Sequence, residues 1–283
     1  MIAIISDIHS NREALDAVFA HIDAQSSVRE VVCLGDVIGY GAEPEYCVDV
    51  VRSRCDVVLM GNHDQALFQG AGDFNVIARG AIAFTVARLK PRGFFPGADK
   101  RARWRFLRDL PTTHKRGDLS FFHASPRDHV REYVLGSDSL VHREKMEAIF
   151  ACFEGLSFIG HTHQPGIHGP APGYRFHATT DPARSTTSCF VPQGISALVN
   201  VGSVGQPRDG DPRSCYVTVA PAKERTPDID FDLGGADPRN QGGRGGYVVR
   251  WHRVPYDVPR TMAKIRAQEG LHEVLARRLE VGK

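Results

Sequence analysis

Two hydrophobic periods alternate through the N-terminal part of the chain, and this constrains the fold more than any other feature. IAIIS (2–6), EVVCL (30–34) and DVVLM (56–60) are short apolar runs of the kind that make buried strands. Between them, NREALDAVFAHIDA places Leu15, Val18, Phe19 and Ile22 at helical spacing, and EPEYCVDVVRSR reads as a second helix. Asn11 stands just ahead of the first stripe, where an N-cap belongs. This β-α-β-α-β order predicts a parallel sheet joined by right-handed crossovers.

After two further helical stretches, around 75–89 and 100–110, the texture changes. LSFFHAS, LSFIGHT, ALVNVGS, CYVTVA and GYVVRWHRV are strand-like runs between turn residues, with one helix near 140–153. A second sheet packed on the first would bury them, so the expectation is an α/β sandwich of two sheets with helices outside. Two stretches rich in Gly, Pro and polar residues, 166–196 and 221–246, read as loop excursions. Residues 257–283 read as a C-terminal helical tail of two short helices joined near Gly270. The expectation is one domain over 1–283.

Charge excludes some functions. The 35 Lys and Arg are nearly matched by 33 Asp and Glu, so a net charge of +2 gives no pull toward nucleic acid or a membrane surface. KRARWRF (100–106) is the one dense basic run with an aromatic, and it reads as a helix whose Trp104 and Leu107 are buried while its arginines are solvated. Six cysteines form no CxxC pair and no framework, which suits a reduced compartment. The start lacks the parts of a secretion signal, and no run reaches the roughly 18 apolar residues of a membrane span. A cytoplasmic protein is expected.

Function enters at the strand ends. Asp7-Ile8-His9 follows the first run, Gly35-Asp36 the second, Gly61-Asn62-His63-Asp64 the third, His123 ends SFF, and Gly160-His161-Thr162-His163 ends SFI. The C-terminal edge of such a sheet is where loops converge on ligands. In a turn, two imidazoles separated only by Thr162 can reach two adjacent points, and two metal ions would be such points. Carboxylate, imidazole and amide donors without thiolate suit Mn²⁺, Fe²⁺, Ni²⁺ or Zn²⁺ rather than a structural Cys site. Two ions about 3.5–4 Å apart can hold an activated water and the oxygens of a phosphoryl group. One carboxylate must then bridge them, and Asp36, preceded by a glycine that leaves room, is the best placed.

DIH, GD, GNHD, H and GHTH, in this order, resemble the five blocks of the calcineurin-like metallophosphoesterase superfamily. HASPRD, NVGSVGQPRDGDPRSCYV and RVPYDV resemble its small bacterial and archaeal branch of YfcE-type phosphodiesterases. The resemblance implies a four-layer α/β/β/α sandwich of two mixed sheets flanked by helices. It assigns Asp7, His9 and His163 to one ion, Asn62, His123 and His161 to the other, and Asp36 to both. His63 would stand beside the metals, protonating the leaving oxygen or stabilising charge, with Asp64 orienting it.

The implied activity is hydrolysis of a small phosphate ester, phosphodiesters foremost, by a hydroxide bridging two divalent transition-metal ions, Mn²⁺ first, then Fe²⁺, Ni²⁺ or Zn²⁺. A phosphomonoesterase or a phosphoprotein or nucleotide phosphatase is the alternative. GDVIGYG, however, lacks the arginine that phosphoprotein phosphatases carry after the second block, and GNHD replaces their GNHE. A non-catalytic protein-binding scaffold would have lost ligands or the GNHD histidine, and none is missing. Candidate substrate contacts are Asn62, Asn11, Arg127 and Arg208, and Tyr40 is a candidate cleft wall. His21, His114, His129, His142, His168, His177, His252 and His272 are expected to be structural or exposed.

Overall fold

Every residue of β1 (Ile2–Ile5) is buried, because this strand is covered on both faces and its apolar run needs no alternation. In this computed structural model the residues described are 1–93, 95, 97–224, 226–234 and 245–283. After β1, chain order runs α1 (Arg12–Asp23), β2 (Glu30–Cys33), α2 (Pro44–Arg54), β3 (Val57–Val58), α3 (Asn62–Gln69), α4 (Val76–Leu89) and α5 (Ala98–Arg108). Then come β4 (Thr113–Arg116), β5 (Leu119–Phe122), α6 (Asp138–Val141), α7 (Arg143–Phe150), β6 (Leu156–Ile159), β7 (Gly166–His168), β8 (Phe176–Ala178) and β9 (Thr186–Pro192). Last are β10 (Ala197–Asn200), β11 (Ser214–Ala222), β12 (Phe231–Asp232), β13 (Gly246–Val254), α8 (Val258–Arg266) and α9 (Glu273–Val281).

The strands form two mixed sheets, ordered β12-β9-β13-β11-β1-β2-β3 and β4-β5-β6-β10-β7-β8. In the first, β1, β2 and β3 are parallel, with Ile2 opposite Glu30 and Cys33 opposite Val58. In the second, β5, β6 and β10 are parallel. Side-chain alternation along β1 builds the layers. Ile4 points between the sheets and packs with Val32, Phe121, Phe158, Val199 and Trp251. Ile5 points outward and packs with Leu15, Val18 and Phe19 of α1. On the far side, Phe122, Ile159 and Leu198 pack under Met146 and Ile149 of α7. The result is the expected α/β/β/α sandwich.

Three expectations change. CYVTVA and GYVVRWHRV do not build the second sheet: they are β11 and β13, and β11 extends the first sheet by pairing antiparallel with β1, Ile2 opposite Val219. Local pattern shows a strand but not its neighbour, which is a long-range choice. The excursion at 166–196 contains β7, β8 and β9, and β9 pairs with β13 from Thr186 to Pro192. Its Gly and Pro residues punctuate short strands rather than abolish them. In the other stretch, 221–246, β11 runs to Ala222 and β12 is at Phe231–Asp232, while 225 and 235–244 lie outside the described residues. The helix near 140–153 is two helices broken at His142.

Helices α8 and α9 do follow β13, separated around Gly270. Met262, Ile265, Leu275 and Leu279 pack on Tyr40, Ala78 and Ala81, so this tail buttresses the loop that follows Asp36. Among the described residues, no helix is long and apolar enough to cross a membrane.

Candidate metal centre

The strand-end loops turn through left-handed backbone. Eight non-glycine residues among those described have positive φ, and Asp7, His9, Ser10, Asp36, Tyr40, His161 and His163 are seven of them. Such conformations cost energy and persist only where the surroundings enforce them. Here the loops lace together: Asp7 N–H donates to Gly35 O at 3.0 Å, and Ile8 and His9 N–H both donate to Asp36 O, at 2.9 and 3.0 Å. Two glycines permit the approach. A Cβ on Gly61 would lie 2.1 Å from Asp36 Oδ1, and one on Gly160 would lie 2.4 Å from Asp7 Oδ2.

The loops bring all seven expected ligands together at the shared edge of the sheets. Asp7, His9 and His163 form one cluster and Asp36, His123 and His161 another, each with ligating atoms within 4.8 Å of one another. Asn62 Oδ1 joins the second, 3.1 Å from His123 Nε2. Asp36 Oδ2 lies between the clusters, 3.7 Å from His9 Nε2 and 3.6 Å from His123 Nε2. A third cluster groups His9, Asp36 and His63.

Hydrogen bonds at the back of three of these rings set what the front presents. His9 Nδ1 donates to Ile38 O, His163 Nδ1 to Gln206 O and His161 Nε2 to Arg131 O. The inward nitrogens of these three rings are then lone pairs: His9 Nε2 and His163 Nε2 are 3.2 Å apart, and His161 Nδ1 lies 3.2 Å from Nε2 of His123, whose Nδ1 has no hydrogen-bond partner. Asp7 Oδ1 is buried without a hydrogen-bond partner. Burial holds the His123 and His161 pKa values down at about 4 and about 3, so these rings are neutral. Burial together with Asp7 and Asp64 pushes Asp36 well above the carboxylate range, whereas His163, His123 and His9 overcome burial and hold Asp7 below it. Converging lone pairs and a strained carboxylate are what cations would satisfy, and the donor set fits divalent transition metals.

The remaining candidates divide. His63, in the first turn of α3, is buried with its ring 4.8 Å from His9, 4.5 Å from Tyr40 and 4.9 Å from Phe74. Its Nδ1 has no partner and lies against Gly39, where a Cβ would be 2.4 Å away. Arg208 reaches the centre too: Nη2 donates to Gln206 Oε1 at 2.9 Å and to Tyr40 OH at 3.5 Å.

Three expected roles are corrected. Asp64 does not orient His63: its carboxylate accepts from the backbone N–H of Gly61, Val37 and Ile38, bracing the loop after Asp36. Asn11 is consumed by structure, its Oδ1 accepting from Ala14 N–H and Thr261 Oγ1–H and its Nδ2 donating to Gly205 O. Arg127 is exposed and paired with Glu132. Beside the centre is a cavity of about 320 Å³ that Tyr40 lines, as expected, together with Asn62 and His161; the sequence did not mark its other walls, Phe74, Arg131 and Tyr133. Arg131 and Tyr133 follow HASPRD in an irregular loop, and no motif marks them.

A sandwich whose facing sheets end in buried carboxylates and imidazoles around two candidate cation positions defines a metal-dependent phosphoester hydrolase. The pattern of the calcineurin-like phosphoesterases matches residues 1–165, and the chain belongs to that family. An uncharacterised protein of Methanocaldococcus jannaschii is 29% identical over 290 residues, covering 100% of this chain and 98% of that protein. Among solved structures, a metallophosphoesterase from Sphaerobacter thermophilus is 30% identical with a TM-score of 0.72, covering 100% of this chain and 98% of its own. A hypothetical protein from Pyrococcus horikoshii shares the fold at 17% identity and a TM-score of 0.65, covering 100% of this chain and 99% of that one.

Proposed function

We propose that this chain hydrolyses small phosphate esters, phosphodiesters ahead of monoesters, using two divalent transition-metal ions, Mn²⁺ first, with Fe²⁺, Ni²⁺ or Zn²⁺ as alternatives. The observation that carries this reading is the pair of ligand clusters on either side of Asp36. Asp7, His9 and His163 would hold one ion, Asn62, His123 and His161 the other, and Asp36 both. Bound ions supply Lewis acidity and a nucleophilic water at neutral pH.

The chain's own groups do the rest. Ile38, Gln206 and Arg131 carbonyls fix three imidazoles with their lone pairs inward. Gly39 walls off His63 Nδ1, which leaves Nε2 to donate a hydrogen bond or a proton to the departing oxygen. The Arg208 contacts to Gln206 and Tyr40 are neutral, so its charge is available to a non-bridging phosphoryl oxygen. GDVIGYG without a following arginine favours diesters over phosphoproteins. Six cysteines, all free, fit the reducing conditions of the cytoplasm, which is the proposed location.

The test is a panel of phosphodiesters, phosphomonoesters, cyclic nucleotides and phosphopeptides, assayed with chain reconstituted in each metal and its metal content measured. Fastest turnover on diesters by protein holding two ions is expected. A metal-replete chain that cleaves only phosphopeptides or monoesters would overturn the diester preference, and one that cleaves nothing would overturn the catalytic reading.

A further inference from the structure

We propose that the cavity beside the centre is a leaving-group pocket for a flat, uncharged aromatic ring. The proposal rests on the phosphoesterase reading, since it places phosphorus at the ligand clusters. Asn62 and His161 belong both to the second cluster and to the cavity wall, and His63 lines the cavity as well. An ester held at the clusters with its departing oxygen toward His63 therefore projects its alcohol portion into this space. At about 320 Å³ the cavity is at the small end of ligand sites, enough for a substituted ring.

Three aromatic side chains stand among the polar residues of its wall. Phe74 stands edge-on to His63 at 87° with centroids 4.9 Å apart, Tyr40 meets the same ring at 60° and 4.5 Å, and Tyr133 lies over His161 at 38° and 4.1 Å. Tyr133 is half exposed, so its outer edge stands at the mouth. Rings so arranged offer both faces and edges to an entering ring, which a saturated chain cannot use.

Charge narrows the ligand further. Among the described residues, the cation in the wall is Arg131, which is ion-paired with Asp73, also in the wall, and donates from Nε and Nη2 to Gln65 Oε1 at 3.1 and 2.9 Å. Its charge is matched within the pocket. A second phosphate or a carboxylate on the leaving group would have to break that pair, whereas a neutral ring leaves it intact. Arg208 differs because its hydrogen-bond partners there are neutral, which puts the anion-binding cation at the centre and not in the pocket.

The test uses the metal-loaded full chain in two arms. In the binding arm, benzylphosphonate and cyclohexylmethylphosphonate, matched in size but not in flatness, are titrated calorimetrically, with 4-carboxybenzylphosphonate as the charged probe. Benzylphosphonate should bind about tenfold more tightly than the cyclohexyl probe, and the carboxylate should give no gain. Tyr133→Leu and Phe74→Leu should each cut the preference about two- to tenfold at unchanged metal content. Asp73→Asn, by freeing Arg131, should make the carboxylated probe the tighter ligand. Equal binding of flat and saturated probes, or a gain from the carboxylate in the unaltered chain, would overturn the proposal.

In the kinetic arm, aryl methyl and polyfluoroalkyl methyl phosphodiesters with alcohols of matched acidity are compared. The aryl ester should have the lower KM, and the two leucine variants should raise its KM more than that of the alkyl ester. Equal KM values for both esters would overturn the pocket while leaving the phosphoesterase reading standing. Hydrolysis of neither ester, with phosphonate binding as expected, would overturn the diester reading and leave the pocket in place.

Discussion

At the scale of single residues, His9 Nε2 and His163 Nε2 face each other 3.2 Å apart while the Nδ1 of each is given to a backbone carbonyl, an arrangement that a cation would suit. Asp36 is the proposed link between the two halves, since its Oδ2 lies 3.7 Å from His9 Nε2 and 3.6 Å from His123 Nε2. Asp36→Asn should therefore cost both ions, because two cations left without the shared negative charge repel each other strongly. His9→Ala should cost chiefly one. Metal content per chain, measured for both variants, checks this, and equal single-ion losses would make Asp36 a terminal ligand. His63 should behave differently. His63→Ala should keep both ions while turnover falls by roughly 10²- to 10⁴-fold, the range of proton-transfer catalysis. An alkyl ester, whose alcohol needs a proton to leave, should lose more than a nitrophenyl ester. Equal losses at full metal content would assign His63 to charge stabilisation instead.

At the scale of elements, the loop after β10 hangs on an ion pair far from the metals in sequence. Arg253 on β13 is bonded to Asp209 and donates to Thr179 O at 3.2 Å, with both charged groups only 3% exposed. That loop carries Gln206, whose carbonyl fixes His163, and Arg208, and its Gly210 N–H is tied to Gly282 O at the end of the C-terminal tail. Arg253→Met would leave Asp209 buried and uncompensated, a loss of about 3–5 kcal/mol by precedent. Thermal unfolding should show it, and Asp209→Asn added to Arg253→Met should recover part of it. KM should rise more than kcat falls, as Arg208 loses its position; unchanged KM in a folded variant would contradict that link. None of this pairing was visible in the sequence, although the strand ends and the seven candidate ligands that the fold brings together were. The candidate ligands could be read because each follows a strand, so a local signal marks their convergence. Asp64, Asn11 and Arg127 misled because a polar residue beside a motif is as readily taken by the backbone of its own loop, and partner choice between β1 and β11 spans the chain.

At the scale of the whole molecule, the centre is where the two sheets meet. Asp7, His9, Asp36 and Asn62 follow strands of the first sheet, and His123, His161 and His163 follow strands of the second. Ions held there would cross-link the sheets, so metal should stabilise the fold in proportion to the logarithm of its free concentration. Acid should loosen what metal tightens: in the metal-free chain the buried histidines of the centre contribute, and two histidines outside it add to the effect. His168 on β7 holds Tyr174 O through Nδ1 at 3.1 Å, and His252 on β13 meets Thr218 Oγ1 at 2.9 Å. Burial pushes both pKa values down to about 4. The unfolded chain takes up these protons near pH 6.5, its ordinary histidine value, while the native chain resists until about 4, so between those limits the unfolded state binds more protons. The stability they contribute is therefore full above about pH 6.5 and lost as pH falls toward 4, by up to roughly 3 kcal/mol for each ring. Urea unfolding with a chelator present, repeated from neutral to mildly acid pH, should show that decline, and His168→Gln should make it shallower by that one ring's share. A flat profile for the unaltered chain would mean that both rings already carry their protons in the native state. Metal-loaded protein should decline more steeply across the same window, because protonating the ligand histidines also releases the ions that join the sheets.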